Sequence, residues 1–295
     1  MEHRWIATPS RTAEIMRQYD IKMKKSLGQN FLMETNILNK MIEAGKINKS
    51  TTVIEIGPGI GALTQYLAHH AKNVVAFEID DRFVTILKDT LSDYENVKVH
   101  HQDILSVDFN EDQYTDLREA KDLVVCANLP YYITTPIILH LMTSPLKFQR
   151  LVMMMQKEVA ERMTATVGSK AYNSLTIAIQ NQMESKLAFI VPKTVFIPKP
   201  NVDSAVLLLE KREQTLVPDV NPQDFEKFVR TAFVQRRKTL WNNFKSGLIS
   251  DVLSLQDLEH LFNQTNIESS RRAETLTIFE FAALYRAYQV MVNLK

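Results

Sequence analysis

The sequence predicts an α/β protein: an open, mostly parallel, doubly wound sheet followed by a smaller all-α C-terminal domain. Two observations carry this. Short strand-like runs at 53–56, 73–77, 97–101, 123–127 and 151–155 alternate with stretches of helical spacing, and that alternation builds parallel sheets. Beyond Lys211-Arg212 the strand-like runs stop and every segment has helical periodicity. With 295 residues, 45% hydrophobic and 23% charged, the chain suffices for a full α/β domain and a second, smaller one. The net charge of +1 means that any basic footprint is local. A single cysteine, Cys126, excludes an intrachain disulfide framework and cysteine-cluster zinc sites, and no metal site is expected. No run of 18 apolar residues and no signal-peptide core occur, so a cytoplasmic protein without membrane contact is expected.

In chain order, Arg11 to Tyr19 has Ile15, Met16 and Tyr19 at helical spacing and reads as a docking extension. Lys24 and Lys25 open a basic loop, suited to face a phosphate backbone, that turns apolar at Phe31-Leu32, ahead of a helix from about Glu34 to Ala44. Val53, Ile54 and Ile56 then form a buried strand, interrupted by Glu55. Gly57, Gly59 and Gly61 follow at alternate positions, before a helix with Leu63, Tyr66 and Leu67 on one face. Glycine permits positive φ and close approach of a ligand. The place is the carboxyl end of a sheet strand, where open α/β sheets bind ligands. The spacing differs from the G-x-G-x-x-G dinucleotide fingerprint, and no lysine follows to grip a phosphate.

The next two strand ends add acceptors. Glu78 lies 21 residues after Gly57, placed to bond ribose hydroxyls. Gln102-Asp103 ends the third strand, where an amide and an acid suit an adenine edge. A nucleoside site without a phosphate grip resembles that of the S-adenosylmethionine-dependent methyltransferases. A helix over about 80–93 has Phe83, Ile86, Leu87 and Leu91 on its apolar face.

The fourth strand, Leu123 to Ala127, ends in Asn128-Leu129-Pro130-Tyr131-Tyr132, beside the reactive end of such a cofactor. An adenine N6 lone pair is delocalised into the ring. It attacks a methyl only when held in line and drawn toward tetrahedral geometry. The Asn128 side-chain oxygen and the Leu129 carbonyl can accept its two N–H bonds. Pro130 keeps Leu129 out of the α region and so aims that carbonyl. Tyr131 can stack on the base. No strong general base is required, and positioning supplies most of the rate. Thr135, with Pro136 after it, is expected to cap the next helix. Lys157 and Arg162 follow the fifth strand and are candidate RNA contacts.

Residues 187–191 and 203–209 read as hairpin partners, with a stiff three-proline loop, 192–200, between them. Pro218 and Pro222 mark an expected linker. Helices are expected from Asp224 to Phe233, Thr239 to Phe244, Leu255 to Asn263 and Thr277 to Tyr288. Arg236-Arg237-Lys238 and Arg271-Arg272 are local basic clusters suited to phosphate contact.

Four motifs occur in the order found in the ribosomal RNA adenine N6-dimethyltransferases: Lys25 to Leu32, Glu55 to Gly61, Asn128 to Tyr131 and Val191 to Ser204. The chain is similar to that family from about Lys22 to Leu284, and within it to the small-subunit (16S) branch. The resemblance implies S-adenosylmethionine as cofactor, held by Asn30, Leu32, Gly57, Gly59, Glu78, Asp103 and Asn128. It implies that the 192–200 loop faces the active site, with Phe196 as a second aromatic on the target base. It also implies a Rossmann-like methyltransferase domain at 23–211, after an extension at 1–22, and a helical RNA-binding domain at 212–295. The implied reaction places two methyls on N6 of each of two adjacent adenosines in the 3′-terminal hairpin loop of small-subunit ribosomal RNA. The implied partner is the immature small subunit, and a monomer is expected. Family members often have Asp where Glu34 starts a helix here. Three other readings stand beside this one. Large-subunit adenine methyltransferases carry Asn-Ile-Pro-Tyr followed by Asn-Ile, whereas Tyr132-Ile133-Thr134 follows here. A non-catalytic assembly or transcription factor on this fold would not need an intact Asn128-Leu129-Pro130-Tyr131. A small-molecule methyltransferase would leave the basic helical domain without a task.

Overall fold

Among the described residues, seven strands form one sheet whose spatial order reverses beside the glycine turn. The computed structural model describes residues 4–21, 30–130, 133–249 and 253–293. Helix α1 (Pro9–Gln18) is capped by Thr8, with Pro9 at its first position. Strand β1 (Phe31–Leu32) leads to α2 (Thr35–Ala44), capped by the Glu34 carboxylate on the Asn36 N–H at 3.2 Å. Then come β2 (Thr52–Ile56), α3 (Ala62–His70), β3 (Asn73–Glu78), α4 (Asp81–Thr90) and β4 (Val97–His101). A short α5 (Thr115–Glu119) precedes β5 (Leu123–Asn128), α6 (Thr134–Thr143), β6 (Arg150–Gln156) and α7 (Lys157–Met163). Next are α8 (Ser174–Gln182), β7 (Met183–Val191), β8 (Phe196–Ile197) and β9 (Ser204–Lys211).

The sheet order is β4-β3-β2-β5-β6-β9-β7. Its first five strands are mutually parallel, and β9 runs antiparallel to β6. Winding outward from β2 to β3 and β4 on one side, and through β5 to β6 on the other, leaves a crevice between the ends of β2 and β5. Val53, Ile54 and Leu123 to Ala127 are buried, as strands covered on both faces must be.

Contacts divide the chain into two compact units. One comprises Met1–Ala160 with Lys186–Glu210; the other comprises Glu161–Ser185 with Lys211–Lys295. The second unit packs α8 with α9 (Pro222–Ala232), α10 (Leu240–Gly247), α11 (Leu255–Thr265) and α12 (Ile278–Asn293). Its core centres on Phe225, Phe228, Phe244, Phe262 and Phe281.

Three local expectations are corrected. Thr135 does not cap α6, because the helix starts one residue earlier. The Pro130 carbonyl accepts from the Ile133 N–H (3.3 Å) and from the Thr134 hydroxyl (3.2 Å), which winds the chain into helix at Thr134. Pro222 is the first residue of α9, capped by Asn221, rather than part of a linker. The stretch before it is packed: Val217 is buried, and its N–H donates to the Asn181 side chain at 3.0 Å. Helix α8 had no counterpart in the sequence reading, although Asn173 and Thr176 form a reciprocal capping box at its start.

Candidate active site

The glycine turn leaves β2 with φ of +68° at Gly57, +58° at Gly59 and +92° at Gly61. Side chains rarely tolerate this region. Space is also short. A Cβ on Gly59 would lie 3.3 Å from Phe31 Cε1, and one on Gly61 would lie 3.2 Å from Leu87 Cδ2. The turn is thus pressed between β1 on one side and α4 on the other.

Glu78, at the end of β3, is buried and tied to the turn. One of its oxygens accepts from the Gly59 N–H at 3.1 Å, the other from the Asp80 N–H at 2.8 Å. Burial raises its pKa, and these N–H bonds oppose the rise. Asp103 caps the turn at Ile104–Ser106, accepting from the Leu105 N–H at 3.0 Å. Gln102 is held by its N–H on the Glu78 carbonyl (3.0 Å) and by the Tyr114 hydroxyl on its side-chain oxygen (2.8 Å).

In the sequence Glu55 interrupts an apolar strand; the structure brings it to the cavity. It is 1% exposed, lines the same cavity, and its Oε2 has no hydrogen-bond partner among the described residues. Burial pushes its carboxyl up to about 8. The available signal was a charge inside an otherwise apolar parallel strand, which is tolerated only where a partner arrives.

The Asn128 amide is oriented. Its Nδ2 donates to the Asn30 carbonyl at 3.3 Å, which leaves Oδ1 as the acceptor for a ligand. The Leu129 N–H donates to the Met154 carbonyl at 3.0 Å and so fixes the peptide ahead of Pro130. The ends of β2 and β5 come together, since a Cβ on Gly57 would lie 4.0 Å from Pro130 Cδ. Tyr131 lies outside the described residues, as do Lys24 and Lys25.

Phe196 is not presented to the cavity. It is 2% exposed, belongs to the main core cluster, and is absent from the cavity lining. The reason is the pairing of β1 with β8, which sets Leu32 opposite Phe196, while the Met33 N–H holds the Val195 carbonyl at 2.9 Å. The loop therefore shapes the site through β1: Phe31 and Leu32 line the cavity and Phe196 backs them.

The cavity brings together Asn30, Leu32, Gly57, Gly59, Glu78, Asp103 and Asn128, the cofactor positions expected from sequence. No lysine, arginine or histidine is among its described lining residues, whereas Glu55, Glu78 and Asp103 all are. Such a wall repels phosphate and suits a cation bearing an adenosine. Glu55 presents a buried, unpartnered carboxyl oxygen to the cavity, and Phe31, Phe77, Phe83 and Ile104 supply apolar walls. No cluster of metal-binding side chains occurs among the described residues.

Glu55 gives a pH prediction. The folded, ligand-free protein retains this proton up to about pH 8, whereas the unfolded chain releases it near the ordinary value of 4.5. Between those values the folded state binds more protons, so stability declines as pH rises, and the deficit is complete above the folded pKa. Glu55→Gln is expected to raise the ligand-free Tm relative to wild type, increasingly so toward about pH 9. Scanning calorimetry of both proteins across pH checks this; a pH-independent difference in Tm would remove Glu55 as the cause.

The basic candidates are distributed differently from their sequence clusters. Arg236 pairs with Glu274 at 2.7 Å. Arg271 is engaged internally, with Glu280 and, at 2.6 Å, the Thr275 carbonyl. These two brace the loop before α12. Arg237, Lys238 and Arg272 are exposed and have no ion-pair partner among the described residues. Arg162 is exposed on α7 and Lys157 half-buried at its start.

Taken with the parallel sheet and its crevice, this acceptor-lined cavity defines the class: a Rossmann-like, S-adenosylmethionine-dependent methyltransferase. The comparisons narrow it. The family model for "Ribosomal RNA adenine dimethylase" matches residues 20–284. "Ribosomal RNA small subunit methyltransferase A" of Enterococcus faecalis is 51% identical over 98% of both chains. The protein of the same description from Latilactobacillus sakei is 52% identical over 95% of this chain and 94% of its own. A crystal structure of a dimethyladenosine transferase from Plasmodium falciparum superposes with a TM-score of 0.74 at 29% identity, covering 88% of this chain and 98% of that one. The chain belongs to the ribosomal RNA adenine dimethylase family.

Proposed function

We propose that this enzyme dimethylates N6 of two adjacent adenosines in the 3′-terminal hairpin loop of small-subunit ribosomal RNA, on immature subunits during ribosome assembly. The observation that carries the reading is the Asn128 amide, turned by Asn30 so that Oδ1 is the free acceptor at the end of β5. The printed description of the bacterial relatives supports the small-subunit substrate over the large-subunit alternative. Bound S-adenosylmethionine supplies an electrophilic methyl. Glu78 and Asp103 would hold its nucleoside, and Glu55, once its proton is lost, would balance its positive charge. The chain's part in the chemistry is positional. Asn128 Oδ1 and the Leu129 carbonyl accept the two N6–H bonds, favouring the tetrahedral nitrogen, and Tyr131 stacks on the base. The proton leaves without a dedicated base, because the nitrogen becomes acidic once methylated.

Residues 23–211 carry the catalytic site in this reading, and 212–295 grip RNA. The protein acts as a cytoplasmic monomer; among the described residues no helix is long and apolar enough to cross a membrane. Mass spectrometry of small-subunit ribosomal RNA from cells with and without the gene tests the reaction. Loss of both dimethyladenosines is the expected result, and their persistence refutes it. For the RNA grip, Arg237→Glu with Lys238→Glu is expected to weaken subunit binding roughly tenfold or more at moderate salt and to flatten the salt dependence, because fewer counterions are released. Cofactor affinity should be unchanged. A filter-binding titration across salt concentrations measures both slope and affinity; unchanged values would take the pair out of the interface.

A further inference from the structure

We infer that the N-terminal arm, residues 4–21, is a positioning element for the cofactor cavity, clamping α3 and α4 so that the glycine turn and Phe83 keep their places. The inference rests on the cavity being the S-adenosylmethionine site.

The arm is bound at both ends. At its start, the Trp5 ring lies against Tyr66 with centroids 4.1 Å apart and meets His69 at 5.8 Å. The Ile6 N–H donates to the Gln65 side-chain oxygen at 2.8 Å in a buried bond. The Thr12 hydroxyl returns to the Ile6 carbonyl at 2.8 Å and locks the arm onto its own helix. Ile6, Ala7 and Ile15 are buried in the main core cluster. At its end, the Tyr19 hydroxyl donates to Asp89 on α4. Solvated extensions do not bury apolar and polar groups together in this way.

The elements it grips build the cavity. Gln65 is one turn into α3, and its N–H bonds the Gly61 carbonyl at 2.9 Å. Leu87 of α4 and Leu91 just after it stand against Gly61, and the Thr90 hydroxyl donates to the Ile60 carbonyl at 3.2 Å. The separation of α3 from α4 therefore sets where the turn lies. Phe83 of α4 lines the cavity and meets Phe31 edge-on at 5.8 Å, and Phe31 touches Gly59. None of the arm residues 4–21 lines the cavity, so the arm acts on it through the elements it grips.

The test uses the full-length protein. Gln65→Leu removes the acceptor of the Ile6 N–H, Trp5→Ala removes the stacked ring, and Gln65→Glu retains an acceptor. Gln65→Leu and Trp5→Ala are expected to weaken S-adenosylmethionine binding roughly three- to tenfold by calorimetry. The kcat at saturating cofactor and the affinity for immature subunits should stay within about twofold. Gln65→Glu should restore most of the lost affinity. Because coupling is reciprocal, S-adenosylmethionine should also slow hydrogen exchange at the Ile6 amide in the wild-type protein. Variants that lose thermal stability but bind cofactor normally, with unchanged Ile6 exchange, would reduce the arm to a structural extension and overturn the inference. A wild-type protein that binds no S-adenosylmethionine would instead bring down the cofactor reading, and this inference with it.

Discussion

Asn128→Ala is expected to lower the single-turnover rate of methylation on immature small subunits by roughly a hundred- to a thousandfold, the scale for losing one transition-state contact. In the proposed mechanism the acceptor it removes strengthens as N6 becomes tetrahedral, so the loss should fall on kcat, with kcat/KM dropping in parallel. Subunit affinity should change little, because phosphate contacts dominate it. The structure adds a second effect: the Asn128 Nδ2 also holds the Asn30 carbonyl. Cofactor affinity should therefore weaken modestly, since Asn30 and Leu32 form part of the cavity wall. Asn128→Asp keeps an oxygen acceptor but loses that donor, and it separates the two contributions. Wild-type rates in Asn128→Ala would show that this motif is not the catalytic centre.

Glu78→Ala should weaken S-adenosylmethionine binding by roughly ten- to a hundredfold, the equivalent of about 1–3 kcal/mol for unpaired buried partners. Two losses combine. In the proposed site the ribose loses its acceptor, and the Gly59 and Asp80 N–H groups lose theirs at once. The glycine turn is then free to shift against Phe31. Glu78→Gln retains one acceptor oxygen and should fall between the two. Calorimetric titration of the three proteins checks the order; equal affinities would exclude Glu78 from the site.

The sequence alone determined the alternating strand and helix order, the glycine turn, and the acids and amide at the three strand ends that follow it. These features are local. Helical and strand periodicity, glycine at positive φ, and proline constraint on its neighbour act within a few residues and leave a mark in the order of side chains. Parallel topology then places strand ends on one edge of the sheet, so Gly57, Glu78, Asp103 and Asn128 could be assigned to one cavity before any contact was known.

Whatever depends on partners far apart in the chain emerges from the packed fold. Phe196 is backing for Leu32 because β8 pairs with β1 across the fold, and nothing near Phe196 in sequence signals that partner. Arg236 and Arg271 share a motif with exposed neighbours, yet each is committed to a carboxylate, on Glu274 and Glu280 respectively. Glu55 became a site residue only when its oxygen proved buried and without a partner among the described residues. The arm at 4–21 gained meaning from Gln65, 59 positions away from Ile6. Periodicity records which face of an element is buried; it does not record what is buried against it, and burial against a specific partner separates packing from function.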